Sequence, residues 1–107
     1  MKGILPTAVV ALMIAGLPIA ARSAPASQDE GRDVYAQNCA MCHSTGVGGA
    51  PKVGSFDDWR PRLASGPSGL LVSVLRGKGG MPPKGGNASL SKTDAHAALE
   101  YMLSLAK

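Results

Sequence analysis

Cys39-Ala40-Met41-Cys42-His43 is the stretch on which the reading of this 107-residue chain turns. The run holds both cysteines of the chain and one of its two histidines. Two thiols spaced by two residues on a helical turn can add to the two vinyl groups of one porphyrin. The adjacent imidazole then lies under the iron as an axial ligand, so C-x-x-C-H is the pattern of covalent haem c attachment. Other uses of a cysteine pair fit less well. A structural zinc site takes four Cys or His ligands, and His96, the other histidine, is far from the motif. A thioredoxin-like dithiol would open a helix in a strand-helix-strand unit, and nothing here alternates like strands. A disulfide between residues three apart would close a tiny loop and stabilise little.

The N-terminus agrees with that chemistry. Lys2 precedes an uncharged stretch, residues 3–21, rich in Ile, Leu, Val and Ala, followed by Arg22 and small residues ending Ala24-Pro25-Ala26. This predicts a secretory signal peptide over residues 1–26 with an A-x-A cleavage site, and hence an exported, periplasmic protein. An uncleaved membrane anchor is the alternative, but Pro6, Gly16 and Pro18 interrupt the run. Residues 27–107 then form one small domain. Setting aside Lys2 and Arg22 leaves nine basic against seven acidic residues, a balance that points away from nucleic acid as a partner. The aromatic residues Tyr35, Phe56, Trp59 and Tyr101 are a thin supply for a core. A domain this small needs a staple, and the porphyrin supplies one, so the apoprotein is expected to be largely unfolded.

Around the motif the pattern is helical. Ser27-Gln28-Asp29-Glu30 reads as a capping box opening a helix to about Asn38, with Gly31, Val34 and Tyr35 on one face. Gly31 inside it signals close approach of another backbone. A Gly- and Pro-rich loop follows the motif. A short helix is expected around Trp59, capped by Asp57, and another from Pro67-Ser68 to a stop at Gly77, although Val72 and Val74 would also suit a strand. Residues 77–86, Gly-Lys-Gly-Gly-Met-Pro-Pro-Lys-Gly-Gly, form a loop with one large apolar side chain, Met81. Ser91-Lys92-Thr93-Asp94 caps a last helix to about Ala106 with Ala95, Ala98, Leu99, Met102 and Leu105 or Ala106 buried.

The second axial ligand follows by elimination. His96 shares a polar stripe with Lys92, Glu100 and Ser104 and reads as solvated. Met1 and Met13 leave with the leader, Met41 lies inside the attachment motif, and Met102 falls on a core stripe as packing. Met81 remains, between glycines that let the chain approach the macrocycle and prolines that stiffen it. A His43/Met81 pair raises the reduction potential and fills both positions, which favours electron transfer over O₂ chemistry. The Pro51 carbonyl is the expected acceptor for the other ring nitrogen of His43. Trp59 and Arg62 are candidates to donate to haem propionates. In the blander alternative Trp59 walls the haem and Arg62 is solvated.

These residues, with Gly46–Gly54, Trp59-Arg60-Pro61-Arg62, the Met-Pro-Pro loop and Glu100-Tyr101-Met102, resemble cytochrome c5, a class I c-type cytochrome. The resemblance covers nearly all of residues 27–107. It implies an all-α fold of about four helices wrapped around one covalently bound haem c, the first and last helices crossing beside it at Gly31, Tyr35 and Tyr101. Some cytochromes c5 carry a further cysteine pair, which this chain lacks. The expected activity is single-electron shuttling between redox partner proteins, with no substrate chemistry and with contact to a membrane only through membrane-bound partners or an uncleaved leader. Its rivals are a haem subunit held permanently to a periplasmic dehydrogenase or oxidase, and an open-site haem enzyme or gas sensor. Replacing Cys39 or Cys42 by Ala removes one thioether from the core-forming cofactor, so doubly attached holoprotein should fail to accumulate on haem-stained gels of periplasmic fractions.

Overall fold

The computed structural model describes residues 28–107, and before them only Gly3 and Gly16. The expected leader and the Ser27 cap lie outside the described residues. Five helices follow in order: α1 (Gln28–Asn38), α2 (Ala40–His43), α3 (Phe56–Leu63), α4 (Gly66–Arg76) and α5 (Lys92–Ser104). Among the described residues there is no strand, only an isolated antiparallel bridge between Lys78 and Met81. Helix α2 is the single turn that carries the Cys-x-x-Cys-His motif, so the four longer helices match the expected count.

Local chemistry explains where the helices begin and end. Acidic Asp29 and Glu30 occupy the first turn of α1, where the helix dipole favours negative charge. The start of α3 corrects the sequence reading: Ser55, not Asp57, is its N-cap, with the Ser55 hydroxyl accepting from the Asp58 N–H at 3.3 Å. Asp57 and Asp58 instead fill the first turn, the other place where the dipole rewards a carboxylate. The Ser55-x-x-Asp58 spacing carried that signal. The stretch with two β-branched valines is helix α4, opened from Ser65 and Gly66 with Pro67 in its first turn. It stops at Gly77, whose φ of +81° is a left-handed conformation; a Cβ there would also lie 2.7 Å from the Met81 carbonyl oxygen. Ser91 caps α5 by accepting from the Asp94 N–H at 3.0 Å. Within the loops, Val47–Gly49 and Pro83–Gly86 tighten into 3₁₀ turns that the glycine content had concealed.

The core is the crossing of α1 with α5, flanked by α4. Gly31 and Tyr35 on α1 meet Ala97 and Tyr101 on α5, and the Tyr35 and Tyr101 rings sit 5.4 Å apart, tilted by 47°. A Cβ built on Gly31 would overlap the carbonyl of Ala97 and lie 3.1 Å from the Tyr101 Cβ. Leu70, Val74, Leu90, Leu99 and Met102 complete the buried cluster. At the end of α5 the buried stripe passes to half-buried Ala106, while Leu105 is exposed. The Tyr35 hydroxyl is buried without a hydrogen-bond partner, and burial, followed by neighbouring Tyr101 and Cys39, raises its pKa. No helix among the described residues is long and apolar enough to cross a membrane.

Gly31→Ala tests the crossing by its sign. In an open helix the change gains about 1 kcal/mol, but here the obstructing atom is main chain and overpacking costs roughly 1–3 kcal/mol. A lower denaturant midpoint for the haem protein is expected, not a higher one.

Candidate haem site

One cavity of about 650 Å³, largely apolar in its lining, lies against α1, α2, α4 and the two Gly-rich loops. Its size falls within the roughly 300–1,000 Å³ typical of cofactor sites. Cys39, Cys42 and His43 line it from the motif, Pro51, Trp59 and Arg62 from the first loop and α3, and Met81 from the second loop. Every residue singled out in the sequence therefore reaches the same space.

His43 is 6% exposed, and its Nδ1 lies 2.8 Å from the Pro51 carbonyl oxygen. A carbonyl only accepts, so Nδ1 carries the proton and donates, leaving the Nε2 lone pair free for a metal. The Val53 N–H donates to the His43 carbonyl at 2.7 Å, tying the same loop to the motif a second time. Trp59 is 3% exposed and stacks on the imidazole at 6.1 Å with 21° between the planes. Its indole N–H donates to the Lys52 carbonyl at 3.0 Å. Through that bond Trp59 holds the loop, and it lines the cavity.

Arg62 is half-buried rather than solvated. Its Nη1 donates to the Asp58 carbonyl at 2.5 Å and its Nη2 reaches the Gly49 carbonyl at 3.4 Å, which places the guanidinium beside the cavity with further N–H donors in hand. The two cysteines differ. Cys42 is exposed, whereas burial, with Cys42 as the secondary cause, pushes the Cys39 thiol up to about 11. Met81 is set by a tight turn in which Lys78 and Met81 exchange backbone hydrogen bonds of 3.0 and 2.9 Å. His96 lies exposed on α5 with its Nε2 3.2 Å from Glu100, and Met102 is 2% exposed in the core and touches the cavity from below it in the packing. Sequence reasoning missed the Lys52 carbonyl as the partner of Trp59, and it missed Asn38 and Asn87, two residues of the cavity lining. Backbone groups leave no residue-type signal, and two asparagines far apart in sequence pair only once the chain is folded.

The donor set suits a haem: paired thiols, an imidazole with a free Nε2, a thioether and a cationic side chain around one apolar space. At Gly48 and Gly49, which line it, a Cβ would meet nothing within 4 Å, so the loop leaves room for a flat ligand. An all-helical fold with this constellation defines a class I c-type cytochrome. A family model described as "Cytochrome C oxidase, cbb3-type, subunit III" matches residues 26–102. Cytochrome c-555 of Chlorobaculum tepidum is 43% identical over 81 residues, covering 72% of this chain and 75% of that protein. Cytochrome c5 of Azotobacter vinelandii is 43% identical over 77 residues, covering 70% and 93%. Among solved structures, an electron transfer complex of nitrite reductase with cytochrome c aligns with a TM-score of 0.69 at 44% identity, over 73% of this chain and 95% of that one. Reduced cytochrome c551 of Ectothiorhodospira halophila aligns at 0.59 and 41% identity, over 69% and 96%. The chain belongs to the small class I c-type cytochromes, alongside the cytochromes c5 and c-555. It carries covalently attached haem c and works as an electron carrier.

Proposed function

We propose that this chain is an exported, periplasmic single-electron carrier in which His43, through Nε2, and Met81, through its sulfur, would hold the haem iron. The observation that carries the reading is that His43, its tautomer set by Pro51, and Met81 line one cavity. When bound, the haem would supply a one-electron ferric/ferrous couple. The protein's part is to hold that change cheap. Pro51 orients the imidazole, Trp59 and the apolar wall exclude water, and a thioether favours the reduced form. With both positions filled, no site is left for substrate chemistry. Arg62, beside the cavity, offers its remaining donors to a propionate. Removal of residues 1–26 as a leader fits the compartment in which thioether attachment takes place.

The relatives support a diffusible carrier over a permanently held subunit: the aligned domain makes up 93% of the Azotobacter cytochrome c5 and 97% of a Halorhodospira halophila cytochrome c-551, leaving little chain for anything else. The partner class is a redox protein, as in the nitrite reductase complex to which this chain is similar. Lys52, Arg60, Arg62, Arg76, Lys78 and Lys84 outnumber Asp57 and Asp58 in the segments around the cavity, and Arg62 and Lys78 line it. Exposed Met41 and Val47, 87% and 57% accessible, add apolar surface beside the motif. An acidic partner surface is the complement of that charge.

The ligand assignment is tested by Met81→Ala. It should lower the reduction potential and let carbon monoxide bind the reduced protein readily, whereas wild type resists it and Met102→Leu behaves as wild type. A Met81→Ala protein with wild-type potential and carbon monoxide spectra would overturn the assignment. For docking, the association rate with the redox partner should fall as salt rises, because steering between opposite charges is screened over about 10 Å at 0.1 M. Stopped-flow electron transfer across a salt series measures it, and a flat series counts against an acidic partner.

A further inference from the structure

Asn38 and Asn87 are joined by a hydrogen bond that links the haem motif to the loop carrying Met81. The Asn87 Nδ2–H donates to Asn38 Oδ1 at 2.7 Å across 49 positions of sequence. Asn38 immediately precedes Cys39, and Asn87 closes the Met81-Pro82-Pro83-Lys84-Gly85-Gly86 segment. Backbone partners of fixed polarity set both amides. Asn38 Nδ2 donates to the Val34 carbonyl at 2.9 Å, so its oxygen must face Asn87. The Ser89 N–H donates to Asn87 Oδ1 at 3.1 Å, so its nitrogen must face Asn38. The Leu90 N–H, from a buried residue, adds a bond to the Asn87 carbonyl at 3.0 Å.

The segment so anchored is one that needs holding. Lys84 has a φ of +56°, a left-handed conformation that a lysine keeps only where its surroundings impose it. Next to it, a Cβ on Gly85 would lie 2.5 Å from the Asn38 carbonyl oxygen, so the loop backbone is pressed against the same residue that its asparagine grips. We infer that Asn38 and Asn87 form a positioning clamp that keeps the Met81 loop closed on the cavity and thereby sets how readily Met81 yields its place to an external ligand. This rests on Met81 as the sixth ligand. Neither asparagine touches the iron: the clamp acts through Met81.

The polarity of the bond decides which substitutions break it. Asn87→Asp keeps the acceptor for Ser89 but turns a carboxylate oxygen toward Asn38 Oδ1, breaking the clamp. Ser89→Ala leaves in place the main-chain N–H that donates to Asn87 Oδ1, so the clamp survives. The probe is imidazole binding to the oxidised holoprotein, read beside the weak red-end absorption band of thioether-ligated ferric haem. Loss of one net hydrogen bond changes an opening equilibrium roughly two- to tenfold. Asn87→Asp should therefore bind imidazole tighter by that factor, and Ser89→Ala should match wild type, both retaining the band in the absence of imidazole. Equal imidazole affinity in Asn87→Asp and wild type, or equal tightening in Asn87→Asp and Ser89→Ala, would overturn the clamp while leaving Met81 as ligand. Absence of the band from wild type, or its persistence in Met81→Ala, would instead overturn the ligand assignment. Asn87→Ser, which also lacks the donor, serves as the second clamp-breaking variant if Asn87→Asp fails to accumulate holoprotein, and the same affinities decide it.

Discussion

The contact of Gly31 with the carbonyl of Ala97 is the constraint from which the rest of the molecule follows. Helices α1 and α5 can approach this closely only because one of them lacks a side chain at the crossing point. Their approach brings Tyr35 against Tyr101 and seals Ala98, Leu99 and Met102 beneath them. The last turn of α1 then runs directly into the attachment motif, so the angle of the crossing aims Cys39 and His43 at the cavity. In a domain with so few large apolar residues, small ones such as Ala95, Ala97 and Ala98 give packing through proximity rather than bulk.

Around the cavity the division of labour is between rigid helices and loops made rigid by hydrogen bonds. The first loop is fastened through three carbonyls: Pro51 receives the His43 ring, Lys52 receives the Trp59 indole, and His43 itself receives the Val53 N–H. Each bond joins the loop to a buried side chain or to the motif, so its glycines do not translate into looseness. The second loop is fastened by the Lys78–Met81 turn at one end and by Asn87 at the other. An electron carrier benefits from that arrangement, since loops held in place need little reorganisation at each transfer.

Charge and exposure divide the surface in the same sense. The basic residues flanking the cavity are carried on the segments from Lys52 to Lys84, while the ion pair of Arg32 with Asp29 and the contact of His96 with Glu100 belong to α1 and α5. Exposed pairs of this kind add little stability, and their sign matters more for encounter than for folding.

By itself the sequence determined the chemistry and most of the helices. The Cys39-x-x-Cys42-His43 spacing is a local pattern, readable because both thiols and the imidazole sit within one turn, and the periodicity of α5 with its Ser91 cap is local as well. Met81 could be singled out by elimination, and Gly31 announced a close approach without saying to what. Tertiary structure decided what depends on how the chain folds back on itself: that Gly31 meets Ala97, that the Trp59 indole faces the Lys52 carbonyl, and that Asn38 grips Asn87. It also chose Ser55 over Asp57 as the cap of α3, because two nearby side chains could each accept the free N–H groups and only the path of the preceding loop selects between them. Hydrogen bonds to main-chain carbonyls leave no trace in residue identity, and pairings across dozens of positions are fixed by the helix crossing, which is why those features emerge only from the folded chain.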